Sequence, residues 1–507
     1  MSHVIVVGGG HNGLVCAAYL ARAGKQVTVL EARPQLGGVA AQREFSPGYS
    51  VTGLLHDTAG FSPQVVKDLN LVDHGLKMSA TAPLFCPSNG GTGLLLHRDP
   101  DAAAAEIQAH SPSDVDSYRE WREFCDSISH FVSRIVSNEP PDVTRDTAGQ
   151  LWKLLTTGMS LRRLGKFKMS EIMRVPPMPV ADWLDEFFES KLIKAALCLP
   201  GIQSTFAGPH SPGTAANLLF HEGASTASIV GGPAALTDAL AAACSHLGVI
   251  VRTHSRVDKI QEQAVILENG EELSADAVVS SCDPNQTFRQ LLGPERVLPT
   301  VREDAGHVRM RGNIAKIHLA LNAPLNWAAR PGERFERVRI GDSMTAYEKA
   351  FDASKYNRLA ETPCLDLNIP TVSMPALAPQ GHESVSILVH FVPHQLDGGW
   401  TETSRKELSK SVLQHLATYT LGLADSLVGL EVLTPEDLET EYGLTGGHLF
   451  HGEHALDQLL SLRPFAGCYD HATPVDSLFM CGGGTHPGGG ISGRPGKLGA
   501  DAVLRAL

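Results

Sequence analysis

"VIVVGGGHNGLVCAAYL", residues 4–20, sets a short apolar run, a glycine turn and the start of a helix in direct succession. Val4 to Val7 has the unbroken apolar character of a buried parallel strand. Gly8, Gly10 and Gly13 follow in G-x-G-x-x-G spacing. In that spacing the first glycine permits the tight turn and the second lets backbone approach a pyrophosphate. The third lets the helix pack closely on the strand. The helix is expected from about Asn12 to Ala23, with Gly24 as its left-handed cap. Its N-terminal N–H groups and dipole favour phosphate charge, which makes Asn12 a candidate binding residue with the glycines.

A second expected strand, Gln26 to Leu30, delivers Glu31 at about the distance where an acid meets the ribose of a dinucleotide. A carboxylate there accepts hydrogen bonds from both ribose hydroxyls and repels a 2′-phosphate. Ala32 continues the same wall, and Arg33 is assigned near the pyrophosphate or adenine. A plain NAD unit continues into its next crossover helix. Here the chain turns instead through Gly37 and Gly38, and then through "PGYSVTG", where Gly48 and Gly53 bracket a short strand. A second close approach of backbone to ligand fits a longer, extended cofactor, FAD.

The far end of the chain repeats the theme in "DSLFMCGGGTHPGGGISGRPGKLGADAVLRAL", residues 476–507. Leu478 to Cys481 reads as a strand. Two glycine clusters follow, and then a helix from about Gly496 to Leu507. The exposed N–H groups of such a loop suit oxygens of a flavin ring or ribityl chain. Gly483, Gly484, Gly490 and Ile491 are its candidate binding residues, with Ser492 beside them.

With these two ends in place, the sequence resembles the phytoene desaturase-like flavoproteins. "GGHLFHGEHALDQLLSLRP" (446–464) and "FAGPHSPGTA" (206–215) resemble the branch of that family named for a pyridine nucleotide-disulphide oxidoreductase domain. The likeness spans essentially the whole chain, strongest at the ends and weakest near residues 100–180. It implies an FAD-dependent oxidoreductase of α/β class, with a discontinuous Rossmann-like FAD-binding domain and an α+β substrate domain. It also implies that Val257 touches the adenine through its backbone. The activity implied is hydride transfer between flavin N5 and an apolar, polyene or isoprenoid substrate, acting on CH–CH bonds.

The middle of the chain supports this division. "SIVGGPAALTDALAAACSHLGVIVRTHSRVDKI" reads as strand, glycine pair, helix and strand, with Leu236, Ala239, Leu240 and Ala243 on one helical face. Asn269-Gly270 signals a two-residue hairpin. The expected pieces are FAD-binding segments 1–75, 223–295 and 446–507, a mainly helical substrate segment 76–222, and a sheet segment 296–445. In the last, Val385, Ile387, Val389 and Phe391 alternate with Ser386, Leu388 and His390, and Ile317, Leu319 and Leu321 alternate likewise.

Composition bounds the partners. A formal net charge of −13 over 507 residues argues against nucleic acid. The nine cysteines form no C-x-x-C pair, which argues against a redox dithiol and for a reducing, cytoplasmic setting. No apolar run is long enough to span a bilayer, and the first strand begins too early to leave room for a leader segment. One basic island, residues 151–175, interleaves Lys153, Arg162, Arg163, Lys166, Lys168 and Arg174 with Leu, Met and Phe. It reads either as a solvated helix face or as a peripheral membrane contact.

Catalytic residues are not assigned. His390 and His451 could exchange a proton near pH 7. His448, His451 and His454 are spaced three apart, but the glycines around them interrupt the helix a metal site of this spacing needs, and no metal is expected. The electron acceptor stays unidentified. The alternatives left open are an isomerase using reduced FAD, an amine oxidase, and a flavin-stabilised regulatory or scaffold protein without turnover.

Overall fold

The computed structural model describes residues 2–142, 147–225 and 227–507. β1 (His3–Val7) turns into α1 (His11–Arg22), which returns to β2 (Gln26–Leu30). The chain then lays down β3 (Leu84–Cys86) and β4 (Leu94–Leu96), followed by a run of helices. Four of these matter below: α2 (Asp114–Ser137), α3 (Ala148–Arg163), α4 (Lys166–Arg174) and α5 (Thr214–Ala224). α6 (Gly232–His246), β5 (Ile250–Arg252) and β6 (Ala277–Ser280) come next. A second set of strands is β7 (Ile314–Leu321), β8 (Arg337–Ile340), β9 (Cys364–Asn368), β10 (Glu383–His390) and β11 (Leu427–Leu433). β12 (Leu478–Met480) and α7 (Arg494–Ala506) end the chain.

Three distant stretches build one parallel sheet in the order β12–β6–β1–β2–β5. β1 is central, with Val4 opposite Ala277 on one side and Val27 on the other. Both faces are covered, which explains the unbroken apolar run. Val4 and Val6 pack among residues of α1, α6 and α7. Ile5 and Val7 pack toward the small antiparallel sheet Val257–Gln261, Ala264–Leu267, Glu272–Ser274. The Asn269-Gly270 turn closes that hairpin, with Gly270 at φ +84°. α7 crosses α1 so tightly that a Cβ on Gly496 would stand 2.3 Å from the Asn12 carbonyl oxygen. Two chain termini therefore share one core. The result is an α/β fold with a Rossmann-like parallel core.

The second sheet runs β11–β7–β10–β9–β8–β3–β4 and is antiparallel except for the β8–β3 pair. Two of its strands come from within the stretch 76–222, whose remaining elements are largely helical. Residue alternation locates β10. Every residue from Glu383 to His390 is buried, serines included, because both faces are covered. Phe391 steps out of the strand at φ +63°. Among the described residues, no helix is long and apolar enough to cross a membrane.

Candidate functional site

The β1–α1 turn forms one wall of a cleft of about 520 Å³. Gly8 turns at φ +101°, a conformation glycine adopts without strain. A Cβ on Gly13 would meet the Gly8 carbonyl oxygen at 2.1 Å, so the third glycine is fixed by helix–strand packing. A Cβ on Gly10 would find no atom nearer than 3.9 Å, so this position faces open cleft. Glu31 Oε2 accepts the Gly9 N–H and Oε1 accepts the Arg33 N–H, each at 2.8 Å. Each oxygen keeps a lone pair for a further donor. Gly37 N–H donates to Gly9 O, which sets the second glycine turn against the first.

Gly8, Gly10, Asn12, Glu31, Ala32, Arg33, Gly38, Val257, Gly483 and Gly490 all line this cleft. The other four expected residues do not. Gly13 and Gly37 are packed against Gly8 and Ala41, and Gly484 against Pro284. Ile491 lines the adjoining cavity. Asn12 Oδ1 and His451 Nδ1 are buried at the cleft without a hydrogen-bond partner, as a polar ligand would require. An elongated dinucleotide fits this donor set: an N–H-rich turn, a ribose-side carboxylate, and a glycine loop at the far end.

That far loop is held from behind. Arg463, fully buried, donates to the carbonyls of Glu453, Gln458, Phe450, Gly452 and Gly483 at 2.8–3.4 Å. Burial without a carboxylate pulls its pKa down to about 9. His454 Nε2 accepts the Gly489 N–H at 3.1 Å, which puts the ring proton on Nδ1. Burial, then the charges of Arg463 and His448, keep that imidazole neutral. His11 Nε2 lies 3.1 Å from Gly490 O. Ser492 N–H is taken by Gly490 O, whereas the N–H groups of Gly490 and Ile491 donate to nothing among the described residues.

The cleft shares Leu55, Gly489 and Gly490 with a second cavity of about 190 Å³. Its walls include Val136, Phe220, Leu388, Phe450, Leu459 and Ile491. Arg494 closes one side, donating to Gly60 O at 2.6 Å and Ser137 Oγ at 3.1 Å. A third cavity, also about 190 Å³, shares His56, Asp57, Gln203, His221 and Asp366 with the second and is walled by Arg98, Arg122, Arg337 and Arg339.

Charge is concentrated where these two cavities meet. His221 Nε2 lies 2.7 Å from Asp57 and Nδ1 3.1 Å from Glu222. Burial disfavours its charged form, but the two carboxylates outweigh burial and push the pKa up to about 9. Asp57 and Glu222 are held well below the usual carboxylate range, His221 again overcoming burial. Lys316, on β7, donates to Leu54 O at 2.7 Å and contacts His56 Nε2. Burial holds its amine well below the ordinary lysine value, and burial together with Lys316 does the same to His56.

The histidines singled out in the sequence fall elsewhere. His390 ends β10 beside a pocket of about 10 Å³ lined by Leu359, Phe391 and Leu408, apart from the three larger cavities. Burial lowers its pKa to about 4, which keeps the imidazole neutral at pH 7. His451 lines the cofactor cleft, at φ +54° and with its pKa lowered by burial. His448, His451 and His454 do not share a helix. His448 Nδ1 accepts the Phe450 and Gly452 N–H groups, and His454 holds the glycine loop. Among the described residues no His, Cys, Asp or Glu cluster is set to hold a metal ion. All nine cysteines are free thiols, and burial drives Cys282 up to about 12 and Cys16 well upward, so neither is a thiolate.

Asp57, His221, Arg463 and Lys316 escaped the sequence reading, and His454 entered it only through its spacing from His448 and His451. His454 and Arg463 lie in "GGHLFHGEHALDQLLSLRP", but their partners are mostly backbone atoms, which leave no residue-type signal. Asp57 and His221 meet across 164 residues of chain.

The family model for flavin-containing amine oxidoreductases matches residues 13–493. The chain is 31% identical to pyridine nucleotide-disulfide oxidoreductase domain-containing protein 2 of Rattus norvegicus, covering 99% of this chain and 93% of that protein. It is 25% identical to the lycopene-forming phytoene desaturase of Pseudescherichia vulneris, with 99% of each covered. A solved oxidoreductase from Methanosarcina mazei superposes with a TM-score of 0.57 at 16% identity, covering 99% of this chain and 100% of that one.

Proposed function

The chain belongs to the flavin-containing amine oxidoreductase family, and from that premise we propose that it dehydrogenates or saturates a CH–CH bond of an apolar substrate. It is an FAD-dependent oxidoreductase. When bound, FAD supplies two-electron chemistry, which leaves the protein orientation and electrostatics. The β1–α1 turn would hold the pyrophosphate and Glu31 the ribose. The loop fixed by His454 and Arg463 would present the Gly490 and Ile491 N–H groups to the other end of the cofactor. The carrying observation for the substrate is the cavity that meets this loop at Leu55, Gly489 and Gly490. Its surface is mainly apolar, with Val136, Phe220, Leu388, Phe450, Leu459 and Ile491 set among histidines and the polar Asp57, Asp366 and Arg494, and no tyrosine or tryptophan lines it among the described residues. The resemblance to a phytoene desaturase supports a polyene or isoprenoid.

His221 is cationic and the His454 Nε2 is engaged by the Gly489 N–H, whereas burial keeps His56 and His486, which also line the cavity, in the neutral form that can accept a proton. Dehydrogenating a CH–CH bond would pass a hydride to FAD and release a proton from the adjacent carbon, which a neutral imidazole of the cavity would take up. The arginine-walled third cavity supports a substrate whose apolar body ends in a hydrogen-bonding group. The free cysteines support a reducing, cytoplasmic setting. The test is anaerobic reduction of the bound flavin by a panel of polyenes, retinoids and amines. Bleaching by a polyene or retinoid is expected. Bleaching by amines alone, with peroxide released in air, would make the protein an amine oxidase. A flavin that no panel member reduces would favour a role without turnover.

A further inference from the structure

α3 and α4 bury none of their residues. On α3, Leu151, Leu155 and Met159 recur every four positions and so share a face with Trp152, which is 64% exposed. Arg162 and Arg163 sit one turn further on. On α4, Phe167 is 71% and Met173 68% exposed. Single exposed apolar side chains are ordinary, but a spaced group with two aromatics on one helix pair marks a contact surface.

The cations tell which contact. Lys153 pairs with Glu139 at 2.9 Å, and Arg174 with Glu171 and Glu186 at 2.6 Å. Arg162, Arg163, Lys166 and Lys168 have no carboxylate within 4.0 Å among the described residues, in a chain whose net charge is −13. A second copy using this face about a two-fold axis would set these cations against one another. A bilayer surface with anionic headgroups accepts both components, the apolar side chains below and the cations at headgroup level.

We propose that α3 and α4 form a docking face for anionic phospholipid membranes. The pair is anchored at its ends and free on its outer face. Gln150 donates to the Tyr469 hydroxyl at 3.0 Å, and the Glu139 that holds Lys153 also pairs with Arg505. Glu139 lies two residues beyond Ser137, whose hydroxyl is bound by the cavity residue Arg494. Docking would thus place the apolar cavity close to the bilayer, a consequence that rests on the apolar-substrate reading. The docking itself does not.

The test is co-sedimentation of the purified full-length protein with vesicles of phosphatidylcholine alone or with about 30% phosphatidylserine. At least roughly ten-fold stronger partitioning onto the anionic vesicles is expected, weakening as salt is raised. Trp152→Ser with Phe167→Ser should abolish binding to both vesicle types. Arg162→Gln, Arg163→Gln, Lys166→Gln and Lys168→Gln together should erase the phosphatidylserine preference. Trp152, Arg162, Arg163, Lys166 and Phe167 are exposed and Lys168 is half-buried, so an unchanged flavin spectrum should accompany each variant. Equal and negligible sedimentation on both vesicles would overturn the proposal. So would self-association lost in the Trp152/Phe167 variant, which would assign the face to a second copy. A preparation that sediments as expected yet reduces with no polyene would sink the substrate reading and leave the docking face standing.

Discussion

Glu31 shows how much one carboxylate is asked to do. It ties the Gly9 and Arg33 N–H groups and leaves lone pairs for a ribose. Charge-assisted bonds of this type contribute about 1.5–3 kcal/mol each, so Glu31→Ala should weaken FAD retention roughly 10- to 100-fold, read by flavin release on dilution. Arg463→Met should lower the unfolding free energy by roughly 3 kcal/mol in urea titrations, because five carbonyls lose their donor. Lysine at the same position should rescue little, since one ammonium cannot reproduce the guanidinium fork. Gly13 and Glu31 were legible in the sequence because their spacing is itself the mechanism. Arg463 was not, because its partners are carbonyls that every residue possesses.

At the scale of elements, α5 carries the pH dependence through His221. Its pKa is raised to about 9, so its stabilising contribution is complete below the unfolded value near 6.5 and is lost as pH rises through 9. Asp57 and Glu222 are depressed, so theirs is present above the ordinary carboxylate range and lost on acidification below it. Melting temperature should therefore fall by a few degrees between pH 7 and about pH 10, and His221→Gln should flatten that limb. The α1–α7 crossing is equally specific. Gly496→Ala puts a Cβ 2.3 Å from the Asn12 carbonyl oxygen, where neither helix backbone can give way cheaply. Loss of both thermal stability and bound FAD is expected in a melt followed by flavin fluorescence. β1, α1 and α6 were readable because a continuous apolar run or a helical stripe reports burial directly. β3 and β4, three residues each, are too short to show a period, whereas β10 was readable from its alternation although both its faces prove to be covered.

The whole molecule is organised by its two ends. Strands from residues 3–30, 250–280 and 478–480 complete one sheet, so the last turn of glycine backbone can face the first. The sequence announces both glycine turns but not the strand order, which depends on which edges pair. Truncation before Leu478 removes β12 and α7 together. An insoluble or flavin-free product is expected, judged by expression and absorbance. The account stands most directly on the flavin content of the purified full-length protein, measured by absorbance after the cofactor is released by denaturation. One FAD per chain is the predicted result. A colourless protein that takes up no FAD on reconstitution, though folded, would contradict it.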